Sequence, residues 1–492
     1  MTQALHILRK DARRFAYEIC VLAALTSAFA WSQIGNDVYT NGALSGYLRL
    51  ASAILPIGWW YVISLLIHEE SLIGDRQFWI TRPYSRWSLL AAKSLFVALF
   101  VNVPLLLAGF AILAVWGFQP LAYLPQFLWM QLVLAAALIL PPLALASLTR
   151  TLAQFGLTIL GLLAGYAGLM LVFGDSFVEQ GFHRVYWSNG LAWADSFVGT
   201  LLVAAPALLM LLLEWGTRKR WIAVGAGTAL FALLYITQAS LGWRLGTEVQ
   251  SRMFGVGGGA STAVTLNAAD VTPDSWAGAL GLRAMNIPPG ETVAPEILQL
   301  TFEGRDGARW STGWTPAISS ESDVVQTNPA SGGAFVWWQR VVVERGFYER
   351  ARRSPVTIRG NVYLMLNARR AVSLPENRAT AVPGGGVCFV SVSRPRRVRV
   401  WFVNCRAPFH EPFNTSDSFW DLPGRAIRLL SFWDSPLPVN FGLSPLSINQ
   451  SPNGTDTANT NSAGAETEFF FLRYEPRAYI RRSFEAANVR LP

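Results

Sequence analysis

The residues best suited to chemistry are few and scattered along this chain. Its four histidines are His6, His68, His183 and His410. Only His410 falls in the second half, which excludes a site with two histidine ligands there, and neither H-E-x-x-H nor G-x-S-x-G occurs. His410-Glu411 lies between two prolines, a pattern typical of a surface loop and not of a hydrolytic triad. We therefore expect no enzymatic activity and no bound metal or cofactor.

The chain also lacks the means to bind a nucleotide phosphate. A phosphate-binding loop needs Gly-Lys-Ser/Thr after a glycine-rich turn. The three lysines, Lys10, Lys93 and Lys219, follow Arg, Ala and Arg, so no Gly-Lys pair exists. The glycine-rich run 255–261 follows an apolar run and not a strand, which is typical of a flexible linker. If ATP is used, another chain must bind it.

Among the polar segments of the first half, residues 68–93 have the most regular arrangement of apolar and charged residues. Trp79, Ile80, Trp87 and Leu90 are apolar anchors, and charged residues surround them: Glu69, Glu70, Asp75, Arg76, Arg82, Arg86 and Lys93. This pattern favours a short amphipathic segment that docks onto a soluble partner at a membrane surface. The alternative is a basic loop that only sets the orientation of the flanking membrane spans.

Composition divides the chain into two parts. Apolar residues make up 52% and charged residues 14% of 492, with 20 tryptophans. Residues 1–241 contain apolar runs long enough to cross about 30 Å of hydrocarbon, and residues 242–492 contain none. The net charge of +9 is spread over both parts as +4 and +5, so it does not indicate a nucleic-acid surface.

Seven membrane spans are predicted in an α-helical, polytopic first part. They cover 15–33, 48–67, 94–117, 125–148, 152–173, 197–215 and 221–241. Twelve Lys and Arg residues lie on one side of these spans and two on the other, which places the N-terminus in the cytoplasm. Residues 1–14 are then a cytoplasmic amphipathic segment, and with seven spans residues 242–492 lie outside the cytoplasm.

Within the predicted spans polar groups are few. Glu18 is expected to reach toward Arg14, with a substrate or proton site as the alternative. The prolines at 104, 141 and 142 predict kinks. Gly161 and Gly165 form a small-xxx-small step that indicates close helix packing, within the chain or with another copy.

The first half of the chain resembles the permease subunit of a type-2 ATP-binding-cassette transporter. The similarity covers residues 5–220 and rests on the amphipathic segment 6–15 and on a motif after the second span: Glu69, Glu70, Gly74, Asp75, Trp79, Arg82, Pro83, Ser85, Arg86 and Lys93. In that family this stretch is the coupling region that touches the ATPase. The resemblance implies a cytoplasmic ATPase partner, a homo- or heterodimer of permease subunits, and the bacterial inner membrane. A seventh span and the large domain after it depart from the family pattern.

The second part, residues 242–492, is predicted to be a β-rich, sandwich-like extracytoplasmic domain, possibly of two lobes near 262–330 and 355–492. Period-2 alternation at 356–366 indicates a strand, as do 295–303 and 468–474, while 335–352 has helical spacing. Segments 387–392 and 397–403 predict a hairpin with its turn near 395.

The hairpin contains both cysteines of the second part. With a turn near 395, Cys388 and Cys405 fall one or two residues out of register, which a bulge would correct. We expect a disulfide, with two buried thiols as the alternative.

Two functions follow from these patterns. The first is a transporter permease whose substrate the sequence does not identify. The second is a membrane-anchored binding or scaffold protein that uses its spans only as an anchor.

Overall fold

The structure is a computed structural model. It describes residues 2–34, 42–69, 85–179, 192–255, 262–271, 277–317, 335–382, 386–393, 400–408, 415–422, 425–432, 446–450, 454–455 and 468–491.

The first half of the chain is helical. Its α-helices are α1 (Thr2–Arg14), α2 (Ala16–Ile34), α3 (Gly42–His68), α4 (Arg86–Val97), α5 (Val103–Val115), α6 (Leu124–Leu134), α7 (Leu140–Leu148), α8 (Leu152–Glu179), α9 (Ala192–Thr217) and α10 (Arg220–Phe254). A π-helical segment, Ala98–Asn102, joins α4 to α5, and a second, Ala135–Ile139, joins α6 to α7. A 3-10 turn, Pro120–Tyr123, precedes α6.

Among the residues that the structure describes, five helical segments are long and apolar enough to cross a membrane. They are Ala16–Ile34, Arg86–Val115, Pro120–Leu148, Phe197–Thr217 and Arg220–Gln238. The other two predicted spans also fall on helices, whose apolar parts are shorter, at Ile54–His68 and Leu152–Gly165. The prediction of a helical, membrane-associated first half is therefore confirmed, with five segments of sufficient length and apolar character. The helix α10 continues to Phe254, beyond the predicted end at 241.

Prolines shape the interior of the helical half. Pro142 has no backbone N–H, so it cannot bond to the carbonyl of Leu138, four residues earlier. The indole Nε1 of Trp60 on α3 donates to that carbonyl at 2.8 Å. The freed carbonyl is thus satisfied by a neighbouring helix, as a membrane interior requires.

The described part of the second half is mainly strands, with one short helix, α11 (Arg345–Ala351). The strands are β1 (Ala263–Val271), β2 (Ala277–Met285), β3 (Glu291–Glu303), β4 (Arg309–Pro316), β5 (Phe335–Val342), β6 (Val356–Ser373), β7 (Ala379–Val382), β8 (Gly386–Ser393), β9 (Val400–Pro408), β10 (Thr415–Leu422), β11 (Arg425–Phe432), β12 (Leu446–Gln450), β13 (Gly454–Thr455) and β14 (Glu468–Val489). The predicted strands at 295–303, 356–366 and 468–474 are confirmed.

These strands form three antiparallel sheets. The first has the order β1-β2-β5, the second β11-β10-β14-β6-β3-β4, and the third β12-β9-β8-β7 with β13 beside β9. Buried side chains of the first two sheets share one hydrophobic core, to which Leu282, Trp337, Leu298, Val362 and Ile480 belong. The β-rich character of the second half is therefore confirmed. Strands β3 and β6, one from each predicted lobe, are neighbours in the second sheet.

The prediction of a helix over 335–352 is wrong for its first half. Residues 335–342 form β5, which pairs with β2, and the helix begins only at Arg345. The side chains at 337, 339, 341 and 343 are buried, which is the period of a strand. The aromatic and β-branched residues of this segment fit both the helical spacing and the period of two of a strand. Pairing with β2 selects the strand.

The predicted hairpin is confirmed as β8 and β9, but its register differs from the expectation. Cys388 lies directly opposite Cys405 without a bulge, because Ser393 pairs with Val400 and the connection is longer than the predicted turn. The two sulfurs form a disulfide, and both cysteines are buried.

The end of α10 is tied to the second sheet. The carbonyl of Gly255, just after α10, accepts a hydrogen bond from the backbone N–H of Tyr479 on β14 at 3.3 Å. The ring of Tyr479 is buried and stacks on Tyr363 with centroids 5.3 Å apart. Two groups near this link have raised pKa values. Burial raises the pKa of the Tyr479 hydroxyl, and the nearby Glu296 carboxylate raises that pKa further. Glu296 sits at a register shift of β3, and burial raises its pKa to about 7.

Candidate functional site

The first candidate site lies where α1 packs on the start of α4. Along α1 the residues Ile7, Leu8 and Asp11 are buried, followed by Phe15 one turn later, whereas Arg9 and Arg13 are exposed. This spacing puts the buried residues on one face of the helix. The N-terminal segment is thus a helix whose buried face packs against the hydrophobic core.

An acidic side chain on that buried face holds the two helices together. The carboxylate oxygen Oδ2 of Asp11 lies 2.8 Å from the ammonium Nζ of Lys93 on α4, and each side chain is only 1% exposed. The second oxygen, Oδ1, lies 3.5 Å from Nζ of Lys10. Because a buried charge is costly without a partner, this pair makes the position of α1 depend on α4.

The start of α4 is defined by Ser85. Its hydroxyl accepts a hydrogen bond from the backbone N–H of Ser88 at 3.0 Å, the bonding pattern of a helix N-cap. On the first turn the side chain of Trp87 is 56% exposed, while Leu90 is half-buried. One of the expected aromatic anchors is therefore presented outward from a capped helix end.

Arg86 connects this helix end to α9. Its Nη1 donates a hydrogen bond to the carbonyl of Gly216, at 3.2 Å, near the end of α9. The last carbonyls of a helix lack partners within it and carry partial negative charge, so a guanidinium is well placed there. Nearby, partial burial and the positive charge of Arg86 lower the pKa of Arg218. Arg86, Arg218, Lys219 and Arg220 together make this end of the helices basic, and it is called the basic end below.

The end of α3 is fixed at the same place. Glu69, one residue after α3, forms an ion pair with Arg14 at the end of α1. His68 is hydrogen-bonded through Nε2 to the hydroxyl of Thr149, after α7, at 3.0 Å. Arg14 thus pairs with Glu69 and not, as expected, with Glu18, which is half-buried on α2.

Four of the predicted coupling residues lie within the described part of the chain. Glu69, Ser85, Arg86 and Lys93 all lie at the basic end and bond to α1, α4 or α9. The remainder lie outside the described residues: Glu70, Gly74, Asp75, Trp79, Arg82 and Pro83. The segment 70–84 is therefore bounded on both sides by residues fastened to three helices.

Sequence reasoning missed Asp11 as the partner of Lys93. The signal was present, because Asp11 lies four residues after Ile7 and four before Phe15, on the apolar face of an amphipathic helix. An acid in that position needs a cation, and only three lysines exist in the chain. The sequence separation of 82 between Asp11 and Lys93 gives no indication of which cation is the partner.

A second candidate site is an apolar groove of about 550 Å³ among α4, the two π-helical segments, α7 and α9. Both π segments line it, through Ala98 and Asn102 on one and Ala135, Ala136 and Ile139 on the other. It is called the α4–α9 groove below. π-Helical turns inside α-helices are often found at functional sites. Each is followed within two residues by a proline, Pro104 or Pro141, which cannot continue regular bonding.

No protein-family model and no curated protein matches this chain. The fold alone thus defines its class: a membrane-associated helical protein with a separate β-sheet part after the helices.

Proposed function

We propose that this chain is the permease subunit of an ATP-binding-cassette transporter and that a separate cytoplasmic ATPase drives it. The observation that carries the proposal is the bonded frame around residues 70–84. Glu69 bonds to α1, Ser85 caps α4, Arg86 bonds to α9, and Lys93 pairs with Asp11. A loop that only set orientation would need positive charge and no such frame.

This frame gives a physical route for coupling. A partner that pulls or pushes on residues 70–84 acts on α3 and α4 directly. The buried Asp11–Lys93 pair passes the displacement to α1, and the Arg86–Gly216 hydrogen bond passes it to α9. Four helices therefore respond to one docking event.

The proposed topology has seven spans in the bacterial inner membrane, with the basic end in the cytoplasm and residues 242–492 in the periplasm. Its support is the excess of twelve Lys and Arg residues on one side over two on the other. Fusions of alkaline phosphatase and of β-galactosidase after residue 250 test it. We expect an active phosphatase, and an active galactosidase with a silent phosphatase would reverse the orientation.

We further propose that two permease subunits pair. Added methyl groups at Gly161 or Gly165 of α8 would meet nothing within 4 Å among the described residues. The neighbouring Leu157 and Leu160 are 70% and 63% exposed. Small residues on an open helix face allow two membrane helices to approach closely, so this face supports an interface with a second copy.

Affinity purification in mild detergent, followed by identification of the co-purifying chains, tests the coupling. We expect an ATPase to co-purify. The matched control replaces residues 70–84 with a Gly/Ser linker of equal length, which should leave the protein in the membrane and abolish ATPase recovery. If the intact chain purifies alone, or if the linker variant retains the ATPase, the chain is a membrane-anchored binding or scaffold protein instead.

A further inference from the structure

The α4–α9 groove contains one polar group at a depth where polar groups are costly. Asn102 is half-buried, and its side-chain amide makes no hydrogen bond within the part of the chain that the structure describes. It lies nine residues beyond Lys93, which is about 13 Å along the helix axis. That is close to half of the ~30 Å hydrocarbon thickness. An amide without a hydrogen bond in an apolar environment costs free energy. A ligand with a hydrogen-bonding group would remove that cost.

The shape of the groove decides what can fill it. Along the first wall it runs from Ser94 to Asn102, which is about 12 Å of helix. Its walls expose almost only apolar atoms, so an aliphatic chain that lies along them would bury hydrocarbon against hydrocarbon.

The entrance of the groove faces the surrounding hydrocarbon. Leu132, Leu201 and Leu208 line it and are 59%, 38% and 45% exposed. A ligand can therefore enter from the bilayer. An ordinary phospholipid has its polar groups at the membrane surface, so it would present only hydrocarbon to Asn102.

We propose that the α4–α9 groove is a binding site for an amphiphile, with an aliphatic chain along its apolar walls and a hydrogen-bonding group seated on the Asn102 amide. Both π-helical segments contribute lining residues to the groove at this level. Binding at this site needs no ATPase, so its test is independent of the proposed transport function.

The test uses the purified full chain in detergent and a 16-carbon fatty amide that carries a photoactivatable diazirine in its chain. After irradiation, the labelled residues are mapped by mass spectrometry. We expect labelling to concentrate on the groove walls, around residues 94–102, 132–143 and 201–208. Asn102→Leu should reduce it at least fivefold, because the amide partner is lost at similar side-chain volume.

Two further variants fill the groove from opposite walls, Ala98→Phe and Ala136→Phe, and each should also reduce labelling at least fivefold. Either one serves if the other fails to give a single gel-filtration peak. Ala111→Phe, on an exposed position of α5 outside the groove, is the matched control and should have no effect.

Labelling spread evenly over exposed residues such as Leu107 and Leu160 would overturn the proposal. It would also be overturned if a diazirine phospholipid labelled the groove equally well and Asn102→Leu changed neither probe, because the groove would then hold only bulk lipid.

Discussion

Asp11 and Lys93 form an ion pair at 2.8 Å, with both side chains 99% removed from solvent, between a helix at the N-terminus and the start of the third predicted span. The pair lies at the basic end, next to the segment that we propose as the docking site for an ATPase. Its two charges neutralise each other where neither would be tolerated alone. This contact is therefore both a stabilising element and the link between the coupling segment and α1.

Lys93→Met should destabilise the helical half by about 3–5 kcal/mol, because it leaves the Asp11 carboxylate buried without its partner. Combining it with Asp11→Leu should recover most of that loss, since no unpaired charge remains. Denaturant unfolding in detergent micelles measures both. Arg252→Met is the control: it removes an exposed pair with Glu248 and should cost under about 1 kcal/mol. Additive effects of the two core substitutions would contradict the pairing.

Gly109 on α5 lies against the ring of Phe127 on α6. A methyl group there would lie 2.5 Å from Cε1 of Phe127, a rigid ring that is fully buried. Gly109→Ala should therefore destabilise the protein by about 1–3 kcal/mol.

The matched control is Gly227→Ala on α10. Its methyl group would meet the Cγ, Sδ and Cε atoms of Met210, a half-buried and flexible side chain that can change rotamer, and alanine favours the helix. We expect a neutral to stabilising effect in the same unfolding assay. Equal effects of the two substitutions would show that the α5–α6 contact is looser than described.

Glu296 should make the stability of the β-sheet part depend on pH. Burial raises its pKa to about 7 from an ordinary value of 4.5. A carboxyl group with a raised folded-state pKa contributes stability that is fully present below pH 4.5 and is lost as pH rises through 7. We expect wild-type stability to fall by about 1–2 kcal/mol between pH 5 and pH 8, less than the full shift would give, because the side chain is only half-buried.

Glu296→Gln should remove this dependence and leave the variant more stable than wild type at pH 8. Thermal unfolding at a series of pH values checks both statements. Glu303→Gln is the comparison, because hydrogen bonding to Arg309 lowers the pKa of Glu303, so its contribution is lost only at acidic pH. A wild-type stability that stays constant from pH 5 to pH 8 would contradict the role of Glu296.

Much of the fold was predictable because single, strong forces act on it. Apolar runs of membrane-crossing length became helices over all seven predicted ranges, since burial in hydrocarbon leaves the backbone few alternatives. Strands such as β6 followed from clean alternation. The strand at 335–342 was not predicted, because Trp337 and Val341 fit both a helical and a strand period. Its partner strand β2 is far away in the sequence.

The candidate sites were less predictable, because they depend on contacts between distant residues. Arg86 and Lys93 were identified from the charged pattern of 68–93, and Ser85 from the family resemblance. Their partners Gly216 and Asp11 were not identified. The prolines at 104 and 141 predicted kinks. That π-helical segments precede both, and that they line one groove, depends on how α4, α6 and α9 pack.

The central claim is that residues 68–93 dock an ATPase, and the most direct test is the affinity of the partner for variants of this segment. Trp79→Ala should weaken ATPase association at least tenfold, because a buried interface aromatic commonly contributes about 2 kcal/mol or more. Arg86→Glu should weaken it in a salt-dependent way. Trp31→Ala, at an exposed tryptophan near the far end of α2, is the control.

We expect both coupling variants to insert in the membrane normally and to lose ATPase recovery and ATP hydrolysis, while the Trp31 variant keeps both. Full partner binding and full hydrolysis in Trp79→Ala and Arg86→Glu would contradict the account, because residues 68–93 would then be a topogenic linker and not a docking site.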